Sequence, residues 1–93
     1  MKVIYKITYP KGKIYIGSDS SGDILRYFGS PDREILEIDY SWEELQDIIL
    51  RKEILFFDEN ISDSDLRKKE YRIIEEMGSN NPEIGYNLLP KYK

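Results

Sequence analysis

Hydrophobic and polar residues alternate through the first part of the chain as they do in a β-hairpin. Residues 3–8 and 14–18 show the period of two that is typical of strands. Pro10 and Gly12 lie between these segments; one has a fixed φ and the other tolerates a positive φ, which favours a tight turn. The pattern therefore predicts two antiparallel strands joined by this turn.

The turn also predicts which residues face each other across the hairpin. Counting outward from it places Tyr5 opposite Gly17. Ile7 and Tyr15 form the neighbouring pair on the same face, because side chains alternate with a period of two. A glycine opposite a tyrosine leaves open space above the ring, which is room for a ligand or for another segment to pack closely.

Two short helical segments are expected after the hairpin. Residues 23–28 have the pattern of a helical turn that Gly29 would close. Asp32 can cap a second helix that extends to about Ile38, with Ile35 and Ile38 facing inward.

The next segment is ambiguous. Ser41 and Glu44 fit a capping box for a helix that runs to about Leu50. The apolar residues between 48 and 56 also alternate as they would in a strand. We expect a short helix followed by a third strand centred on residues 53–57.

The last predicted helix contains an unusual acidic residue. Ser62 or Ser64 can cap its start and Gly78 can end it. Its inward stripe consists of Leu66, Ile73, Ile74 and Met77. Glu70 lies on the same stripe. Since burying an unpaired carboxylate is costly, Glu70 should meet a cation, a hydrogen-bond network or a metal ion, or reach water at the edge of the core.

Length and composition indicate a single unit. The 93 residues are enough for one domain, 1–93, with one core. Cysteine is absent, no secretory signal pattern is seen, and no apolar run approaches the ~20 residues that span a bilayer. These features predict an intracellular protein without a membrane partner.

The charges are distributed unevenly. The net charge is −4, yet the hairpin contains Lys2, Lys6, Lys11 and Lys13 and no acidic residue. Residues 67–93 add six more cations against four acids, so the hairpin and the last helix could form one basic face if they pack together. We expect Lys6, Lys11 and Lys13, with Arg26, to contact nucleic acid; the alternative is that the lysines only solvate an exposed hairpin.

Several short motifs, taken in order, resemble those of the GIY-YIG nuclease domain over about residues 3–89. The matching positions are Val3-Ile4-Tyr5, Tyr15-Ile16-Gly17, Arg26, Glu70 and Gly85-Tyr86-Asn87. Each piece is short, and it is their ordered combination that is specific. The resemblance implies a small α/β protein, an α+β sandwich with a three-stranded antiparallel sheet flanked by helices.

The resemblance also implies an activity, the metal-dependent hydrolysis of phosphodiester bonds in DNA by an endonuclease. Glu70 would hold one divalent cation, Mg²⁺ or Mn²⁺, since Mg²⁺ keeps several waters and needs few protein ligands. Arg26 would stabilise charge on the phosphate. Tyr5 would act as the general base on the attacking water, and Tyr15 would position the water or the phosphate.

A tyrosine base requires help, because an unperturbed phenol has a pKa of about 10. The candidate cations that could favour ionisation of Tyr5 are Lys13, which we expect on the same face, Lys6, Arg26 and the bound metal. Gly17 would supply room. Asn87 would either hydrogen-bond near the scissile phosphate or fix the terminal loop, and the sequence leaves both roles open.

The chain departs from the family pattern in two ways. Val3 stands where the first motif has glycine, and there is no histidine at all. The second departure, with the acidic net charge, keeps an alternative open: a non-cleaving module on the same fold that binds nucleic acid or a protein. A nuclease of this size would also be open to a partner, such as a separate specificity domain or subunit.

Overall fold

A three-stranded antiparallel sheet forms the centre of the computed structural model, which describes residues 1–23, 25 and 28–93. The strands, in the spatial order β2-β1-β3, are β1 (Lys2–Thr8), β2 (Ile14–Asp19) and β3 (Arg51–Asp58). The predicted hairpin and third strand are therefore confirmed, as is the α+β fold with helices beside the sheet.

The hairpin closes at the predicted turn. The backbone N–H of Tyr9 donates to the carbonyl of Lys13 at 2.9 Å, and the N–H of Gly12 donates to the carbonyl of Tyr9 at 2.9 Å. Gly12 has φ 104°, a conformation that residues with a side chain rarely adopt. The resulting register confirms both predicted pairs, Tyr5 with Gly17 and Ile7 with Tyr15.

Helices α1 (Arg33–Asp39) and α2 (Trp42–Gln46) begin at the predicted caps. The Asp32 carboxylate accepts hydrogen bonds from two backbone N–H groups at the start of α1. Ser41 and Glu44 form the capping box of α2. These caps satisfy N–H groups that have no partner within the helix, which explains why such short helices start where they do.

Two details of these helices differ from expectation. Ile38 is 82% exposed and does not face inward, because α1 turns Ile35 and Leu36 towards the core instead. Helix α2 ends at Gln46 and not near Leu50, since the chain must become extended before it enters β3. Ile24, Arg26 and Tyr27 are outside the described residues, and the helical turn predicted for 23–28 is therefore outside them too.

Helix α3 (Asp63–Met77) is the long helix of the fold. The hydroxyl of Ser62 caps its start by accepting from a backbone N–H. Gly78 ends it in the left-handed conformation, with φ 74°. Met77 is 37% exposed, contrary to the prediction that it faces inward, and the buried residues of α3 are Leu66 and Ile74. In the described part of the chain, no helix has the length and apolar character needed to cross a bilayer.

The sheet is covered on both faces, and each face has its own apolar cluster. The first cluster contains the buried residues Val3, Tyr5, Ile7, Tyr9, Tyr40 and Tyr86, and residues of α1 and α2 pack against it. The second contains Ile4, Ile16, Leu66 and Ile74 and joins the sheet to α3. Strand β1 therefore supplies alternate residues to both clusters, as expected of a central strand.

The C-terminal segment attaches to the outer edge of β2. The N–H of Tyr86 donates to the carbonyl of Ile14 at 2.9 Å, and the N–H of Ile14 donates to the carbonyl of Ile84 at 3.2 Å. Gly85 lies in this bridge, where a Cβ would be only 2.5 Å from the carbonyl oxygens of both Ile14 and Ser79. The glycine permits this close approach, which brings the residues that follow it to β2.

Candidate functional site

A cleft of about 310 Å³ lies between β2, α3 and the C-terminal segment. Four of the residues singled out from the sequence line it, although they belong to four separate segments: Tyr5, Tyr15, Glu70 and Asn87. Its other lining residues are Ser18, Ser30, Arg67, Tyr71, Leu88 and Leu89. The fold thus brings into one place four predicted side chains that are up to 82 positions apart in the sequence.

The hairpin positions both tyrosines around Gly17. Tyr5, on β1, is fully buried, and its ring lies across the backbone of the glycine on the neighbouring strand. A Cβ at position 17 would be 2.5 Å from Tyr5 Oη and 3.0 Å from Tyr15 Cε2. Gly17 therefore leaves the space into which the rings fit.

Tyr15 is held by the loop that follows β2. Its ring packs against Gly29, where a Cβ could not be accommodated. The backbone N–H of Ser30 donates a hydrogen bond of 3.1 Å to Tyr15 Oη. The phenol is therefore held at the wall of the cleft by contacts to its ring and to its hydroxyl.

Glu70 has a partner that the sequence analysis did not identify. Ser18 Oγ donates a hydrogen bond of 2.6 Å to Glu70 Oε1. Ser18 directly follows Gly17, and the alternation of β2 places it on the same face as Ile16, towards α3. The hydrogen-bond network expected around the Glu70 carboxylate thus includes this hydroxyl.

The residues of the cleft suit a hard divalent cation that needs few protein ligands. Among the described residues there is no group of three or more His, Cys, Asp or Glu side chains that could enclose an ion. Glu70, however, is a single carboxylate on an accessible cleft that also has room for water. Such a donor suits Mg²⁺ or Mn²⁺, hard ions that are commonly held by one or two carboxylates together with water and substrate oxygens.

Asn87 makes hydrogen bonds with both ends of its amide. Oδ1 accepts from the N–H of Ile16 at 2.9 Å and from Ser79 Oγ at 2.7 Å. Nδ2 donates to the carbonyl of Ile16 at 2.8 Å. The Asn87 amide therefore hydrogen-bonds to the N–H and the carbonyl of Ile16 on β2, as the backbone of a neighbouring strand would. Of the two roles that the sequence leaves open, these contacts favour fixing of the terminal segment.

Lys13 is not the cation beside Tyr5, contrary to our expectation. Its Nζ lies 2.7 Å from Asp39 Oδ2 and 5.4 Å from the ring centroid of Tyr86. Among the described residues, Lys52 of β3 lies over the Tyr5 ring, with Nζ 4.5 Å from the centroid. The sequence contains no signal for this contact, because it depends on the pairing of β3 with β1.

The carboxylate of Asp39 is the centre of a network away from the cleft. Tyr86 Oη donates to Asp39 Oδ2 at 2.7 Å. The hydrogen bond from Lys13 holds the pKa of Asp39 below its usual value, with a further contribution from the Tyr86 bond, while burial opposes both. Burial, reinforced by this carboxylate, raises the pKa of Tyr86. Lys13 and Tyr86 therefore belong to a structural network that joins the hairpin to α1.

The hairpin lysines do not form the cationic surface that their number suggests. Besides Lys13, three lysines are in salt bridges: Lys2 with Asp63 at 2.9 Å, Lys6 with Glu53 at 3.2 Å and Lys11 with Glu44 at 3.3 Å. The acidic partners come from distant segments, so the sequence did not reveal this neutralisation. Each of these lysines thus has an acidic neighbour, and the contacts to nucleic acid expected of Lys6, Lys11 and Lys13 stay a prediction.

Two arginines remain, one selected from the sequence and one identified by the structure. Arg26 lies outside the described residues, so its role stays a prediction. Arg67 lines the cleft but was not selected from the sequence. A signal for it exists, since it precedes Glu70 by three residues and positions three apart on a helix lie on neighbouring parts of one face.

The chain was also compared with known proteins. No family model, curated protein or solved structure was found to match it. The resemblance to the GIY-YIG nuclease domain therefore stays a prediction that rests on the ordered motifs.

Proposed function

We propose that the protein is a metal-dependent endonuclease of the GIY-YIG type that hydrolyses phosphodiester bonds in DNA. The supporting observation is that Tyr5, Tyr15, Glu70 and Asn87, from four segments of the chain, line one cleft. The same four residues belong to the ordered motifs of the sequence. Convergence of two phenols and a carboxylate on one cleft is typical of a reaction site and not of a packed core.

Glu70 is the residue that would hold the divalent cation in this proposal. A bound Mg²⁺ or Mn²⁺ would supply positive charge to stabilise the leaving oxygen. Ser18 would orient the carboxylate through its 2.6 Å hydrogen bond to Glu70 Oε1, and Glu70 would hold the ion. Ser18 is therefore proposed as a positioning residue.

The two tyrosines would have different roles, one as the general base and the other in orienting the water or the phosphate. Tyr5 would accept the proton of the attacking water, with Lys52 as the neighbouring cation. Tyr15, held by the N–H of Ser30, would orient the water or a phosphate oxygen. Arg26 would stabilise the charge that develops on the phosphate, and Arg67 offers a second cation at the cleft.

A second candidate function is a module that binds nucleic acid or protein without cleavage. Two observations favour it: Tyr5 has no exposed surface, and the hairpin lysines are paired with acids. A buried base can act only if the cleft opens to admit water. The two candidates make different predictions for one experiment.

The experiment measures cleavage of supercoiled plasmid and of single- and double-stranded oligonucleotides at low salt, with Mg²⁺ or Mn²⁺ and with EDTA. We expect metal-dependent nicking that falls by more than about 100-fold in Glu70→Gln and in Tyr5→Phe. Glu83→Gln is the matched control, because Glu83 is exposed and does not line the cleft. Its activity should equal that of the parent.

Three other results would contradict the proposal or favour the second candidate. Equal activity in all variants would indicate a contaminating nuclease and contradict the proposal. Metal-independent cleavage would contradict the role of Glu70. DNA binding without cleavage by the parent protein would favour the second candidate.

A further inference from the structure

We propose that an exposed basic stripe on α3, defined by Arg67, Lys68 and Arg72, is the surface that binds the phosphate backbone of the nucleic acid. This inference rests on the proposed function in that it takes nucleic acid as the ligand. It differs from the sequence-based expectation, which named Lys6, Lys11, Lys13 and Arg26 as the contacts to nucleic acid. It also concerns binding alone, so it can be tested without any cleavage.

The basic stripe continues directly from the cleft. Arg67 and Tyr71 both line the cleft, one helical turn apart. Tyr71 also lines the adjoining surface depression, together with Lys68 and Arg72. A strand whose scissile phosphate lay beside Glu70 could therefore pass along α3 without leaving the protein surface.

The cations of the basic stripe are available to bind phosphates, in contrast to the hairpin lysines, which are paired with acids. Arg67, Lys68 and Arg72 are all exposed, and within the described part of the chain none of them takes part in a salt bridge. Asp63, which precedes Arg67 by one turn, is instead paired with Lys2 at 2.9 Å. The hairpin lysines are thus paired with acids, whereas the three cations of the basic stripe have no salt bridge among the described residues.

The size of the basic stripe limits what it can bind. Residues 67–72 extend about 8 Å along a helix with a rise of about 1.5 Å per residue. Glu75 and Glu76 follow on the same side and border the same depression. A DNA strand advances about 3.4 Å per phosphate, so the basic stripe matches roughly two or three phosphates. Because phosphate contacts carry no base information, we expect binding that is weak and independent of sequence.

The test is the affinity of the full chain for a fluorescein-labelled duplex, measured by fluorescence anisotropy in EDTA. The variant is the double substitution Lys68→Gln with Arg72→Gln. The control is Arg33→Gln with Arg51→Gln, which changes the net charge equally at exposed residues on other elements. Circular dichroism checks that both variants are folded.

We expect the Lys68→Gln/Arg72→Gln variant to bind about 10-fold more weakly at about 50 mM salt, and the slope of log affinity against log salt concentration to decrease by about 2. The control should change affinity less than about twofold under the same conditions. An equal loss in both variants would overturn the inference, because it would show a net-charge effect. Failure of the parent protein to bind the duplex would overturn it as well.

The outcomes for the two proposals are distinguishable. Binding that depends on the basic stripe, without cleavage, would support this inference and count against the nuclease. Cleavage with binding that is independent of the basic stripe would support the nuclease and overturn this inference.

Discussion

The phenol ring of Tyr5 crosses the backbone of Gly17 so closely that no side chain fits between them. A Cβ on Gly17 would be 2.5 Å from Tyr5 Oη and 2.6 Å from Tyr5 Cζ. The two residues are direct partners in the β1–β2 ladder. The glycine at the second motif therefore determines where the first motif's tyrosine lies.

Gly17→Ala should destabilise the protein and displace Tyr5. Because Tyr5 is fully buried, the ring cannot move into solvent, and we expect a loss of about 1–3 kcal/mol in the free energy of unfolding. Urea denaturation measures this loss. Ser20→Ala, at an exposed position just after β2, should change stability by less than about 0.5 kcal/mol. Equal stability of Gly17→Ala and the parent would contradict the close contact.

Ser18→Ala should weaken the proposed use of metal by Glu70. Removal of the hydroxyl leaves the carboxylate without its 2.6 Å hydrogen bond, so we expect the Mg²⁺ concentration for half-maximal cleavage to rise about 10-fold. Ser18→Thr keeps a hydroxyl and should retain most of the activity. A metal titration of each variant measures the effect, and identical curves for Ser18→Ala and the parent would exclude a positioning role.

Asn87→Ala should act mainly through folding. Its amide makes two hydrogen bonds to the backbone of Ile16 and one to Ser79, and losing them at a buried site should cost about 1–3 kcal/mol. Asn60→Ala is a matched control at an exposed loop position. Cleavage per folded molecule should change little. A large fall in that activity at unchanged stability would instead favour a direct role of Asn87 at the phosphate.

Asp39 should make stability depend on pH. Its pKa in the folded protein is lowered, chiefly by the hydrogen bond from Lys13, and therefore lies below that of the unfolded chain. The stabilisation is present above the unfolded pKa of about 4 and is lost as the pH falls through the folded pKa. Asp39→Asn should be less stable than the parent at pH 7 and lose less stability on acidification.

Urea denaturation at neutral and acidic pH measures this difference. Asp47→Asn, at an exposed position after α2, is the control and should keep the parent's pH dependence. A pH dependence of Asp39→Asn that equals the parent's would show that the network around Asp39 contributes nothing to acid sensitivity.

The local features of the fold could be predicted because they depend on neighbouring residues. Pro10 and Gly12 determine the turn and, through it, the register that sets Tyr5 opposite Gly17. Ser41 and Ser62 mark helix starts because their hydroxyls cap N–H groups three residues later. The periodic patterns of the strands and of α3 were sufficient to predict these elements, because they too depend on nearby residues.

The ends and orientations of short helices were harder to predict. Ile38 and Met77 fit an inward stripe by spacing, but neither is part of an apolar cluster. Spacing specifies which residues share a face of a helix. Which residues of that face are buried depends on how the helix packs.

The sequence by itself determined the hairpin, its register, the helix caps and the candidate residues whose convergence supports the proposed function. Only the tertiary structure decided how charges pair: it joined Lys13 to Asp39, placed Lys52 over Tyr5 and gave Glu70 the hydroxyl of Ser18. Local structure follows from backbone conformation and nearby hydrogen bonds, which adjacent residues specify. Salt bridges and long-range hydrogen bonds join residues far apart in the chain, so they exist only once the sheet and helices have packed together.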